Sequence, residues 1–143
     1  MPERTFTTNS PDETIALGRE LAKELRPPKL VLLRGDLGAG KTTLVKGIAV
    51  GFGAAEEEDV TSPTFTLIHE YRAQDISIFH VDLYRIESEG ELATLGLDEI
   101  LADPRAVVLI EWGEKFPRFE RERDLEIRIE HAGETLRQFI LSN

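Results

Sequence analysis

Gly35-Asp36-Leu37-Gly38-Ala39-Gly40-Lys41-Thr42 has the spacing G-x-x-x-x-G-K-[ST], in which each fixed residue has a chemical task. Glycine carries no Cβ and tolerates positive φ, so a backbone rich in it can curl closely around an anion. Its successive N–H groups then point at a phosphate, and a helix starting at Lys41 adds the partial positive charge of its N-terminus. Lys41 has the length and charge to reach β- and γ-phosphates, and the Thr42 hydroxyl can ligate Mg²⁺ beside a phosphate oxygen. Asp36 through Thr43 (Asp36, Leu37, Gly38, Ala39, Gly40, Lys41, Thr42 and Thr43) are therefore the expected phosphate cradle. A chance glycine turn would not need the apolar run Leu30–Leu33 before it and the helical pattern Leu44, Val45, Ile48, Ala49 after it. No N-K-x-D segment is present to select guanine, so ATP is expected rather than GTP. As an exposed loop, it should tolerate Lys41→Ala and Thr42→Ala without loss of the fold.

Phosphoryl transfer to water also needs a carboxylate near the metal and a group that orients or deprotonates the water. Asp82 and Glu111 each close an apolar, strand-like run, and parallel strands present such residues at the carboxyl edge of an open sheet, where ligands bind. A strand-end acid in solvent is the plainer reading of either. Thr61, Ser62 and Thr64 surround Pro63 in a hydroxyl-rich turn that could reach the γ-phosphate as a switch, or simply be a turn. Arg85 is the arginine best placed to act in catalysis. His69 and His80 lack metal-ligand spacing and are expected in the core or on the surface. Trp112 is either a cover over the nucleotide or a core aromatic, and core is the simpler expectation.

Further elements must position these groups. Ser10-Pro11-Asp12-Glu13 is a helix start with a capping box and a first-turn proline, and Pro27-Pro28 ends that helix. Lys29–Arg34 is continuous in Val and Leu, as a buried parallel strand is. Thr5–Thr8 reads as a short strand, and 65–72 with 76–83 as an antiparallel hairpin. Ser88-x-x-Glu91 opens a helix that Gly96 interrupts, and Arg105–Trp112 is a second buried strand. Gly113–Arg123 reads as a charged loop. Leu125, Ile127 and Ile129 alternate with Glu126, Arg128 and Glu130 to start a terminal hairpin with one wet face. The expected fold is α/β: a mostly parallel sheet of the P-loop NTPase type, flanked by helices, with antiparallel hairpin additions, in one domain over residues 1–143.

The net charge of −10 argues against strong direct binding of nucleic acid, which relies on clustered Lys and Arg, and favours a protein partner. With no cysteine there is no disulfide framework, thiolate zinc site or catalytic thiol. No signal-like N-terminus and no run of roughly 20 apolar residues is present, so a soluble cytoplasmic protein with no membrane association is expected.

Taken together, GDLGAGKTT at 35–43, SPTFTL at 62–67, EY at 70–71, HVDLYR at 80–85, LGLDE at 95–99 and IEW at 110–112 resemble the TsaE (YjeE) family of small P-loop ATPases. The resemblance spans about Ser10 to Glu130. It implies a role in adding threonylcarbamoyl to adenosine 37 of ANN-decoding tRNAs, with ATP turnover supporting partner proteins of the TsaD and TsaB type rather than performing the modification. It further implies that Glu111 is the Mg²⁺ ligand beside Thr42, that Asp82 orients or deprotonates water, and that Thr64 belongs to a switch. Adenine is then expected near Asp12 and Glu13, with Gly133 and Arg137 loosely matching a further family motif. A nucleotide-gated protein-binding module, in which hydrolysis is incidental, is the alternative. A small-molecule kinase fits less well, for want of length for an acceptor pocket and of an arginine-rich lid.

Overall fold

The computed structural model describes residues 3–36, 39–63 and 66–143. A seven-stranded sheet runs in the order β1-β7-β6-β2-β5-β4-β3. Its strands are β1 (Arg4–Thr8), β2 (Lys29–Arg34), β3 (Ile68–Arg72), β4 (Ser77–Asp82), β5 (Ala106–Glu111), β6 (Leu125–His131) and β7 (Arg137–Ser142). The central strands β6, β2, β5 and β4 are parallel; β3 joins one edge antiparallel, and β7 followed by β1 the other. This is the expected P-loop-type α/β sheet, with hairpins completing both sides. Both faces of β2 and β5 are covered, which is why these strands are continuous in Val, Leu and Ile rather than alternating.

Each face packs its own core. Val31, Leu33, Val107, Leu109 and Ile127 meet α1 (Pro11–Ala22) and α2 (Lys41–Gly51) through Leu21, Leu44, Val45 and Ile48. Leu30, Leu32, Val108 and Ile110 meet α3 (Glu89–Ala93), α4 (Leu97–Ala102) and α5 (Pro117–Glu122) through Leu92, Leu97 and Phe119. Helices α1 and α2 lie backbone on backbone: a Cβ on Gly18 would stand 2.6 Å from the Leu44 carbonyl oxygen, and one on Gly47 would strike the carbonyl of Ile15. Side chains at those positions would force the helices apart.

The charged segment after Trp112 is not a loop. It forms a 3₁₀ turn at Gly113–Lys115 and then α5, which starts on Pro117 and buries Phe119 beside Phe116. Helix α5 also changes the strand that follows it. Glu126, expected on a wet face, is buried and ion-paired to Arg34 at 3.4 Å and Arg128 at 3.6 Å, while Glu120 of α5 pairs with the same nitrogen of Arg34 at 3.3 Å. Among the described residues no helix is long and apolar enough to cross a membrane.

Candidate functional site

The loop leaving β2 turns directly into α2. Gly40 stands at the N-cap of α2 with φ 109°, a left-handed conformation that glycine takes without strain, and no described side chain caps the helix. The first N–H groups of a helix have no intrahelical partner, and no side-chain cap uses them here. The first turn contains no acid to neutralise its dipole. Thr42 and Thr43 are half-buried there, Ala39 is buried, and Asp36 is exposed, its carbonyl closing a turn onto the Ala39 N–H at 3.0 Å. Leu37, Gly38 and Thr64 lie outside the described residues.

Lys41 departs from expectation. It is only 5% exposed: its Nζ donates to the Gly35 carbonyl at 2.5 Å and stands 3.5 Å from Glu111 Oε1. The loop is therefore not an exposed appendage, and Lys41→Ala removes a buried partner of Glu111. Parallel register explains the meeting. Glu111 lies opposite Leu33 of β2 on one side and Asp82 of β4 on the other, so both acids arrive at the carboxyl edge beside the loop. Each is 4% exposed.

His80, two residues before Asp82 on the same face of β4, donates through Nε2 to Glu111 Oε2 at 2.5 Å and is fully buried. Sequence reasoning placed it in the core or on the surface, and core is where it lies. What that reasoning missed was its contact with Glu111, signalled by its period-two spacing from Asp82. Burial pushes the Glu111 carboxyl up, but the His80 hydrogen bond, with the attraction of His80 and Lys41, outweighs this and holds it below its ordinary value. Glu111 is thus an anion in a dry setting. The Asp82 carboxylate accepts the Tyr84 N–H at 2.9 Å, and Arg85 follows it, exposed, in the turn after β4.

On the other side of the loop, Ser10, Pro11 and Thr14 at the start of α1, Gly40 and Thr43, and Thr135 and Arg137 of the β6–β7 hairpin line a cavity of about 270 Å³. Asp12 and Glu13 stand exposed at the same helix start without lining it; the Glu13 carboxylate accepts the Asn9 N–H at 2.8 Å. Gly133 lies exposed in the hairpin turn. The turn at 60–63 is tied to β3, where the Tyr71 hydroxyl accepts the Thr61 N–H at 3.4 Å. It closes onto Leu67, whose N–H reaches the Pro63 carbonyl at 2.7 Å and whose own carbonyl takes the Asp82 N–H. Leu67 thus holds the backbone of Pro63 through its N–H and that of Asp82 through its carbonyl.

A hard cation such as Mg²⁺ commonly takes one or two protein oxygens and completes its shell with phosphate and water. An anionic Glu111, oriented by a histidine, with the Thr42 hydroxyl on the neighbouring helix start, offers donors of that kind.

A parallel sheet whose central strand runs through a glycine loop into an open helix N-terminus, with acids closing the next two strands on one side, β5 and β4, defines the P-loop NTPase-like class. Within that class, the family model described as threonylcarbamoyl adenosine biosynthesis protein TsaE matches residues 8–139. The tRNA threonylcarbamoyladenosine biosynthesis protein TsaE of Bacillus subtilis is 39% identical over 138 residues, 96% of this chain and 84% of that protein. Its namesake in Rickettsia conorii is 44% identical over 108 residues, 76% of this chain and 60% of that longer relative. The crystal structure of Bacillus subtilis YdiB superposes with a TM-score of 0.76 at 34% identity, covering 98% of this chain and 84% of that one. This chain belongs to the TsaE family.

Proposed function

We propose that this protein binds ATP with Mg²⁺ and hydrolyses it as one component of the machinery that adds threonylcarbamoyl to adenosine 37 of ANN-decoding tRNAs. It acts through partner proteins of the TsaD and TsaB type. The observation that carries the reading is the uncapped start of α2 beside the buried Lys41–Glu111–His80 group. A helix end without a cap and without acid, next to a lysine and an anionic carboxylate, suits a phosphate chain and its cation.

In this reading the α2 N–H groups and Lys41 hold the β- and γ-phosphates, and the cavity between α1 and the β6–β7 hairpin takes the base side of the nucleotide. Thr42 and Glu111 hold the metal, which supplies charge neutralisation at the phosphates. Asp82 orients a water and accepts its proton as the water oxygen bonds to the γ-phosphorus and the bond to the β–γ bridging oxygen breaks. The Ser62-Pro63-Thr64 turn completes the site around the γ-phosphate as a switch, and Arg85 stabilises the charge that develops there. Slow turnover by the protein alone follows, because an arginine supplied in trans or an ordered switch can contribute ~10³–10⁵ in rate.

The test is ATP turnover by the isolated protein, with and without the partner proteins and tRNA. Slow basal turnover that rises on their addition is expected, with Arg85→Ala blunting the rise more than it weakens ATP binding. Fast turnover indifferent to any partner overturns the assisted-hydrolysis reading.

A further inference from the structure

Trp112 is the single tryptophan in the chain, and the structure holds it in a costly way. Its backbone sits at φ 65°, where a bulky residue is strained. Its indole Nε1 is buried with no hydrogen-bond partner among the described residues, a further cost. The ring is not enclosed in the core, although its edge packs there. It is half-buried, lies 5.1 Å from the ring of Tyr84, and stands with its face 4.8 Å from Lys41 Nζ. With Gly35 and Asp36 it lines a cavity of about 500 Å³ beside the loop.

A helix-terminal lysine beside such a cavity would ordinarily extend into water. Here two oxygens fix it from one side, the Gly35 carbonyl and Glu111 Oε1, and the indole covers it from another. An aromatic face attracts the ammonium while offering no acceptor that a phosphate would have to displace. We propose that Trp112 is a positioning residue for Lys41: it shields the ammonium from water and keeps it on the loop, poised for phosphate. This rests on the reading of the loop as a nucleotide site. Tyr84, exposed and braced by its own N–H to Asp82 and by Lys115 Nζ on its carbonyl at 2.9 Å, supports the indole from outside.

The experiment compares Trp112→Phe and Trp112→Leu, each alone and combined with Lys41→Ala. Two quantities are measured: the denaturant unfolding constant of the unliganded protein, and the affinity for ATP by calorimetry. If Trp112 acts through Lys41, Trp112→Leu weakens ATP binding about three- to thirtyfold, and Trp112→Phe, which keeps a ring face, loses less. In the unliganded protein, the cost of Trp112→Leu falls about two- to fivefold once Lys41 is already alanine. Equal losses for Phe and Leu, or the same unfolding penalty with and without Lys41, mean that Trp112 only fills space and overturn the proposal. A wild-type protein that binds no ATP overturns the nucleotide reading instead, while the coupling in the unliganded protein still decides the role of Trp112.

Discussion

Two helix starts face each other across the cavity beside the loop, and they are built on opposite plans. At the start of α1, Ser10 Oγ accepts the Glu13 N–H at 3.1 Å, the Glu13 carboxylate returns to the Asn9 N–H, and Asp12 and Glu13 place negative charge at the positive end of the dipole. Its own chain supplies a side-chain cap, a first-turn proline with no N–H to satisfy, and charge that opposes the dipole. At the start of α2 the cap is a glycine with no side chain to offer, and the first turn is free of acid. The second end is less stable taken alone, and it keeps its donors and its dipole for something from outside. A capped end maintains structure, whereas the proposed nucleotide site uses an uncapped end beside a buried lysine.

The largest test of this contrast is Lys41→Ala. Losing a charge-assisted contact to phosphate costs about 1.5–3 kcal/mol, roughly ten- to more than a hundredfold in ATP affinity by calorimetry. An unchanged affinity means that the open end is not the phosphate site. A smaller and more pointed test exchanges the two plans. Gly40→Ser forces a side chain into left-handed backbone, at about 1–2 kcal/mol in denaturant unfolding, and adds a hydroxyl that competes for the helix donors. ATP affinity should fall together with stability. Ser10→Ala should cost a similar ~1 kcal/mol in stability while disturbing ATP binding much less. Equal effects of the two on binding would erase the distinction between the ends.

The smallest effect is in acid. The charges at the start of α1 are exposed, whereas Glu111 beside α2 is buried with its folded value held below the ordinary carboxyl value of 4.5. Such a group contributes stability that is fully present above that ordinary value and is lost as pH falls through the folded one. Thermal midpoints followed downward from about pH 7 should therefore decline less steeply at the acid end for Glu111→Gln than for wild type. Parallel declines would mean that Glu111 is not held ionised by its neighbours.

Much of this could be read in advance, and the failures share a cause. The loop, its flanking strand and helix, and both strand-end acids follow from local patterns: a glycine spacing, a run of aliphatics, a carboxylate at the end of each run. Helix α5 was missed because its charged residues resemble a solvated loop, and only the three-residue interval from Phe116 to Phe119 reports its buried side. Glu126 reads as wet for a related reason: its partner Arg34, shared with Glu120 of α5, lies on a distant strand. The contact of His80 with Glu111 joins residues 31 positions apart and becomes visible only once β4 and β5 are placed side by side in register. Local chemistry was readable; contacts created by sheet order were not.

That sheet order has a consequence for how the protein assembles. β1 pairs only with β7, so Arg4 finds its place opposite Leu141, across almost the full described length. The first of the seven described strands must wait for the last, and such distant pairings carry a loop-closure cost that slows folding. Ser10 and α1 follow β1 directly, and Arg137 opens β7, so two walls of the same cavity depend on that late pairing. The start of α2 can take shape once the neighbouring parallel strands are in place, whereas the cavity beside it is completed only when β1 and β7 meet.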